Sequence, residues 1–239
     1  MPLPKIEHPI HEVYLKSLDK TIRYRPFLVK EEKLLLMAKE SDDLKEITST
    51  IKQIISNCCV DDINVDNLPT FDVEMFFLHL RINSVGETAQ MVYTCNNVVE
   101  EQPCGHKTEF DLLLKNIKYL ETEGHTNIIK LTDNVGVKFN YPSITIPEAA
   151  LNDKFEDGGY EVIAEYLDYI YDQDQIYEKN SVTKEELMAF FDNLTIDQVQ
   201  SIKQFFLTSP RVVLEQQLSC SKCAFVHNIN VEGILSFFD

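Results

Sequence analysis

Four cysteines limit how this chain can fold: Cys95 and Cys104 in its middle, Cys220 and Cys223 near its end. The later pair is a C-x-x-C, Cys220-Ser221-Lys222-Cys223, with a strand-like run on each side. The earlier pair opens the triplet Cys104-Gly105-His106. Two hairpin tips that each offer a cysteine pair supply the four ligands of a tetrahedral zinc ion, as in a zinc ribbon. On that reading the ion joins residue 95 to residue 223, and most of the chain between them is an insertion. The gap from Cys95 to Cys104 exceeds the usual spacing of about two to four residues. Its NNVVEEQP sequence is turn-like at both ends, so it can bulge out while both sulfurs point inward. Gly105 suits a knuckle whose backbone must turn toward sulfur, and His106 is an alternative ligand. The competing readings are a disulfide, buried thiols or a redox pair. The first needs an oxidising compartment, and a redox C-x-x-C opens a helix, whereas residues 224–231 read as a strand. Cys58-Cys59 ends a helical pattern and fills core space.

Charge narrows the function classes. Lysine and arginine total 22 against 39 acids, a formal charge of −17. Phosphate-rich ligands call for concentrated positive charge, so nucleic acid and anionic membrane are poor partners for this chain. The opening Met1-Pro2-Leu3-Pro4-Lys5 holds no apolar signal core. No run reaches the roughly 18 apolar residues of a membrane span. The expectation is a soluble protein made in a reducing compartment.

Periodicity predicts an α+β chain. Residues 11–29 alternate as a hairpin ended by Pro26. From Lys30 the apolar spacing is helical, with Ser41-Asp42-Asp43 separating two helices and capping the second. Thr70 is placed as the cap of a third helix to about Asn83, whose apolar face of Phe71, Met75, Leu78 and Ile82 is widened by Phe76 and Phe77. Residues 88–95 and 107–114 form the first ribbon hairpin, 127–131 and 135–141 another, and 211–214 with 225–231 the second ribbon hairpin. Thr145 to Glu148, Thr183 to Glu186 and Thr195 to Gln198 have capping-box spacing. The acidic stretch 148–178 reads as an amphipathic helix with Ile163, Leu167 and Ile170 on one face and a solvated acidic side, or as a docking surface for a basic partner. Asp172-Gln173-Asp174 resembles the start of an EF-hand, but Tyr177 and Thr183 stand where that loop needs glycine and glutamate. The segments are therefore 1–87, a hairpin with helices; 88–146 with 209–239, the zinc-ribbon-like β region; and 147–208, a helical insertion. Residues 233–239 form an apolar tail that must dock.

A catalytic set is hard to find. Seven glycines offer no phosphate loop, there is no HExxH, and the six histidines are scattered. Four cysteines would also close a zinc ion to water. No catalytic residue is assigned; His106 and His227, close to the cysteines, are the only histidines that keep such a reading open.

The stretches YRPFLVKEEKLLLMAKES and LPTFDVEMFFLHLRINSVGET, followed by DNVGVKFNYP, resemble the baseplate hub and hub-assembly proteins of T-even-type contractile-tailed bacteriophages. The resemblance is distinctive over about residues 10–115. It implies a non-enzymatic tail protein that works through contacts with other hub or tape-measure proteins. It would stay in the virion baseplate, or act as a transient assembly chaperone in the host cytoplasm. A zinc-ribbon nucleic-acid module is the remaining alternative. Arg23, Arg25, Phe27 and Lys30 are a candidate partner surface, or a brace between hairpin and helix.

Overall fold

The computed structural model describes residues 6–41, 43–143 and 160–233. The chain divides into two compact units: residues 1–120 with 211–239, and residues 121–210.

The first unit begins with a hairpin of β1 (His11–Leu15) and β2 (Lys20–Tyr24), turned through Asp19 in the left-handed region. Val13, Leu15, Ile22 and Tyr24 point inward. Helices α1 (Val29–Ser41) and α2 (Leu44–Cys58) follow. The break between them is capped as expected: the Asp43 side chain accepts from the Lys45 N–H at 2.8 Å. Ile47, Ile51, Ile54 and Ile55 form the buried stripe of α2, the face that drives an amphipathic helix onto a core.

Helix α3 (Thr70–Ser84) buries every residue from Phe71 to Leu78, Asp72 and Glu74 included, and Leu80 as well. Buried nearly all round over this stretch, it packs against the β1 hairpin and α2. Its cap differs from the expectation. Pro69, extended at φ −67°, occupies the N-cap, and its carbonyl accepts from Asp72 and Val73; Thr70 is the first helical residue. Asp72 is fully buried and accepts from the Lys16 and Ser17 N–H groups and the Tyr119 hydroxyl at 2.7–3.0 Å. That single carboxylate fixes the β1–β2 turn to the helix. Burial, then the Asp72 charge, pushes the Tyr119 phenol well above its ordinary value.

Strand β3 (Thr88–Thr94) leads through the short β4 (Val98–Val99) and β5 (Gln102–Pro103) to β6 (Lys107–Leu113), which pairs with β3. After a 3₁₀ turn, β7 (Ile117–Leu120) closes this part of the chain.

The second unit is built on β8 (Ile128–Lys130), β9 (Gly136–Phe139), α4 (Tyr160–Tyr166), β10 (Leu167–Tyr171), β11 (Ile176–Glu178), α5 (Lys184–Asp192) and α6 (Ile196–Leu207). The strands form one antiparallel sheet in the order β11-β10-β9-β8. Ile129, Val137, Phe139 and Ile170 cluster with Leu187, Phe191, Ile202, Phe205 and Phe206 from the helices. The capping boxes at Thr183 and Thr195 are both present; Thr183→Ala should cost about 1 kcal/mol in denaturant unfolding. The box expected at Thr145 lies outside the described residues, as does most of the expected tail.

Two expectations need correction here. The unit starts at residue 121, so the 128–139 hairpin belongs to it and not to the ribbon region. It is also mixed, not helical: α4 ends at Tyr166, and Leu167 and Ile170 lie on β10. Leu167-Asp168-Tyr169-Ile170-Tyr171 suits strand and helix alike by spacing, and the open edge of β9 decides for strand.

The chain then returns to the first unit. Strand β12 (Arg211–Ser219) pairs antiparallel with β7, Arg211 opposite Leu120, and with β13 (Val226–Glu232) on its other side. Both ends of residues 121–210 thus leave from neighbouring strands. Leu112 and Leu114 meet Leu214, Ile229 and Val231 in a second buried cluster. The Gln216 side chain spans the layers, accepting from Leu113 N–H and donating to the Asp111 carbonyl, both at 2.8 Å.

Candidate metal centre

The two cysteine hairpins meet. Cys95 Sγ lies 3.7 Å from Cys223 Sγ, Cys104 Sγ lies 3.9 Å from Cys220 Sγ, and all four sulfurs fall within 4.8 Å of one another. Tetrahedral Zn–S bonds of about 2.3 Å place sulfurs about 3.8 Å apart. The four residues can hold a metal ion, and the spacing of their sulfurs fits that geometry.

The two tips use the same backbone. Ladder β3–β6 runs out at Thr94 opposite Lys107, and ladder β12–β13 at Ser219 opposite Val226. Just beyond, Cys95 N–H donates to the His106 carbonyl at 2.8 Å, as Cys220 N–H donates to that of Phe225 at 2.9 Å. The residue after each second cysteine is left-handed, Gly105 at φ +59° and Ala224 at φ +57°. Each returns its N–H to the carbonyl of the first cysteine, at 3.1 and 2.9 Å. These turns aim each cysteine pair inward.

The long spacing of the first pair is thereby explained. Its extra residues fold out as the small β4–β5 hairpin, whose turn residues Glu100 and Glu101 both have positive φ, as a two-residue type I′ turn requires. Cys104 N–H donates to the Asn97 carbonyl at 2.7 Å and closes that loop above the knuckle.

Thiolates are the metal-binding form of cysteine. The Cys223 N–H pulls the Cys220 thiol down to about 6, with help from that of Lys222 against the effect of burial. The Phe225 N–H likewise lowers Cys223. Burial pushes Cys95 the other way, to about 12. Cys220 and Cys223 are thus more readily ionised than Cys95.

Around the sulfurs, His106 lies outside the cluster. Its Nε2 is 2.8 Å from Ser221 Oγ, so it links one knuckle to the other. His227 is buried on β13, its Nε2 3.1 Å from Cys95 Sγ and its ring tilted against Tyr93. Sequence reasoning noted its proximity but gave it no place. The signal was there: alternation along β13 puts His227 on the inward side with Ile229 and Val231. Asn97 donates to Cys223 Sγ at 3.6 Å. Cys58 and Cys59 sit elsewhere, at the end of α2, where burial holds the Cys58 thiol up at about 11.

The suggested partner residues are engaged within the unit. Arg23 makes a two-nitrogen contact with Asp61 at 2.7–3.1 Å. Arg25 binds Glu31 and the Asn57 carbonyl, both at 2.9 Å. Phe27 is buried and its N–H donates to Ser84 Oγ, while Lys30 is exposed, 3.3 Å from Glu31.

A family model described as T4 bacteriophage base plate protein matches residues 8–239. The chain belongs to that family. The match covers both knuckles and the whole second unit. No curated protein and no solved structure matches the chain. Membership makes this a phage baseplate protein that interacts with other baseplate proteins. No helix among the described residues of this baseplate protein is long and apolar enough to cross a membrane.

Proposed function

We propose that this baseplate protein is a non-enzymatic structural subunit of the baseplate hub, joined to its neighbours by protein contacts and closed by one structural Zn²⁺ on Cys95, Cys104, Cys220 and Cys223. Its family match over residues 8–239 carries the reading. The sulfur cluster supports the second half: four thiolates saturate a tetrahedral ion and leave no position for water, which suits a brace and not a hydrolase. A tetrahedral four-sulfur set takes zinc or iron, and its closed Cys₄ arrangement on two hairpin tips is that of structural zinc ribbons. The excess of acid, −17 overall, speaks against the alternative of a nucleic-acid-reading ribbon.

Two measurements test the halves separately. Mass spectrometry of purified virions should find the chain among the baseplate proteins; its presence in infected cells but absence from virions would make it a transient assembly chaperone instead. Metal analysis of untagged protein should give about one zinc per chain. A folded preparation with no bound metal would end the zinc assignment.

A further inference from the structure

The outward face of the β11-β10-β9-β8 sheet exposes apolar and aromatic side chains beside acidic ones. The inward row Ile129, Val137, Ile170 and Tyr177 packs toward the helices. On the other face, register aligns Ile128, Lys138, Tyr169 and Glu178 in one row, and Lys130, Gly136, Tyr171 and Ile176 in the next. The Tyr171 ring lies over Gly136, where any Cβ would run into it. Ile128 and Ile176 are 44% and 60% exposed. Tyr169 and Tyr171 meet edge to face at 6.4 Å.

Two adjoining concavities mark this face. One, of about 410 Å³, is lined by Ile128, Tyr169, Tyr171, Asp172, Asp174 and Ile176. The next, of about 350 Å³, shares Tyr169 and Ile176 and adds Glu165, Asp168 and Glu178. Asp172 is held in place by the N–H groups of Asp174 and Gln175 and by the Tyr177 hydroxyl, at 2.8–2.9 Å. The face's cations are already engaged: Lys138 with Asp168 at 2.9 Å, Lys130 with Asp133 at 3.4 Å, and Lys179 with the Glu165 carbonyl.

We propose that this trough docks a segment of another baseplate protein in which lysine or arginine alternates with apolar residues. This deepens the reading that the chain works by protein contacts, and rests on it. Charge selects the occupant. Residues 121–210 contain 17 acids against 6 lysines and no arginine, so −11 of the chain's −17 falls here. Tyrosine faces attract ammonium and guanidinium groups within about 6 Å, as the Lys138 ammonium 5.3 Å over the Tyr169 ring already shows. The acidic rim receives those cations, and the exposed isoleucines take the apolar side chains between them. A nucleic acid would be repelled.

The probe is a fluorescein-labelled peptide of alternating lysine and leucine, titrated against the full-length protein, with glutamate–leucine and lysine–serine peptides as controls. The lysine–leucine peptide should bind best and weaken as salt rises. Asp174→Lys with Ile176→Ser should weaken it by about tenfold or more. Glu109→Lys, on the exposed side of β6, should leave it nearly unchanged. No binding by the wild type, equal binding of the glutamate–leucine peptide, or an equal loss with Glu109→Lys would overturn the proposal. So would self-association of the wild type that the double variant abolishes, which would give the trough to a second copy. The hub reading is judged apart, by virion composition: a chain present in virions that binds no peptide loses the trough alone.

Discussion

Cys223→Ser is expected to release the metal and to lower the melting temperature by on the order of 10 °C or more. The size follows from comparing two magnitudes. Structural zinc contributes about 10–16 kcal/mol to the folding of zinc-finger peptides, whereas a whole domain is stable by only about 5–15 kcal/mol. Even a partial loss of about 4 kcal/mol moves the midpoint of a domain this size by about 8–16 °C. A serine hydroxyl is a poor replacement for a sulfur that the Phe225 and Asn97 N–H groups hold toward ionisation. Besides the ion, only side-chain contacts such as His106–Ser221, His227–Cys95 and Asn97–Cys223 join the tips among the described residues, and the last two end on the ligand sulfurs themselves. A chelator added to wild-type protein should reproduce the shift. Cys59→Ser is the control, since that thiol donates to the Asp61 carbonyl at 3.1 Å and is far from the sulfur cluster in chain and contacts; it should keep its zinc. A Cys223→Ser protein with full zinc and an unshifted midpoint would remove the ion from the account of this fold.

Much of this centre could be read from the chain because its constraints are local. Strand alternation on each side of a cysteine pair, and Gly105 after the second sulfur, suffice to draw a knuckle. Ala224 does the same work at φ +57° without being glycine, so sequence alone would not have singled it out. The helix caps at Asp43, Thr183 and Thr195 were legible for the same reason: each is satisfied within three residues. What sequence missed was decided at a distance. Leu167–Tyr171 became a strand because β9 had an open edge, and β7 exists because β12 covers it. Asp72 looks like an ordinary first-turn acid, and only the fold brings Lys16, Ser17 and Tyr119 to it. The sheet face with Tyr169 and Tyr171 stayed hidden while those residues were assigned to a helix.

Arg25→Ala should cost about 3–5 kcal/mol at neutral pH, because it strands a fully buried carboxylate. Glu31 has no exposed surface, and the Arg25 side chain is 19% exposed. The guanidinium reaches Glu31 Oε1 and the carbonyls of Asn57 and Pro26 at 2.9 Å, so it ties the end of β2 to the start of α1 and the end of α2. Burial by itself would push the Glu31 carboxyl up. The Arg25 hydrogen bond, the Leu28 N–H and the Arg25 charge outweigh it, and the group titrates below its ordinary 4.5. A lowered value means that the unfolded chain binds this proton first. Glu31 therefore contributes its full stabilisation above about pH 4.5 and loses it as pH falls through the folded value. Without Arg25, burial meets weaker opposition and the carboxyl moves upward. The variant's deficit should then be largest near neutrality and shrink toward acid pH, where protonation removes the uncompensated charge. Lys30→Ala is the comparison: its ammonium is 3.3 Å from the same carboxylate but 69% exposed, and should matter by under about 1 kcal/mol. Replacing both partners, Arg25→Met with Glu31→Leu, should recover most of the loss, since apolar pairs often match a buried ion pair. Urea unfolding across pH measures all four proteins. Equal, pH-independent costs for Arg25→Ala and Lys30→Ala would mean that the buried pair does not brace this hairpin to its helices.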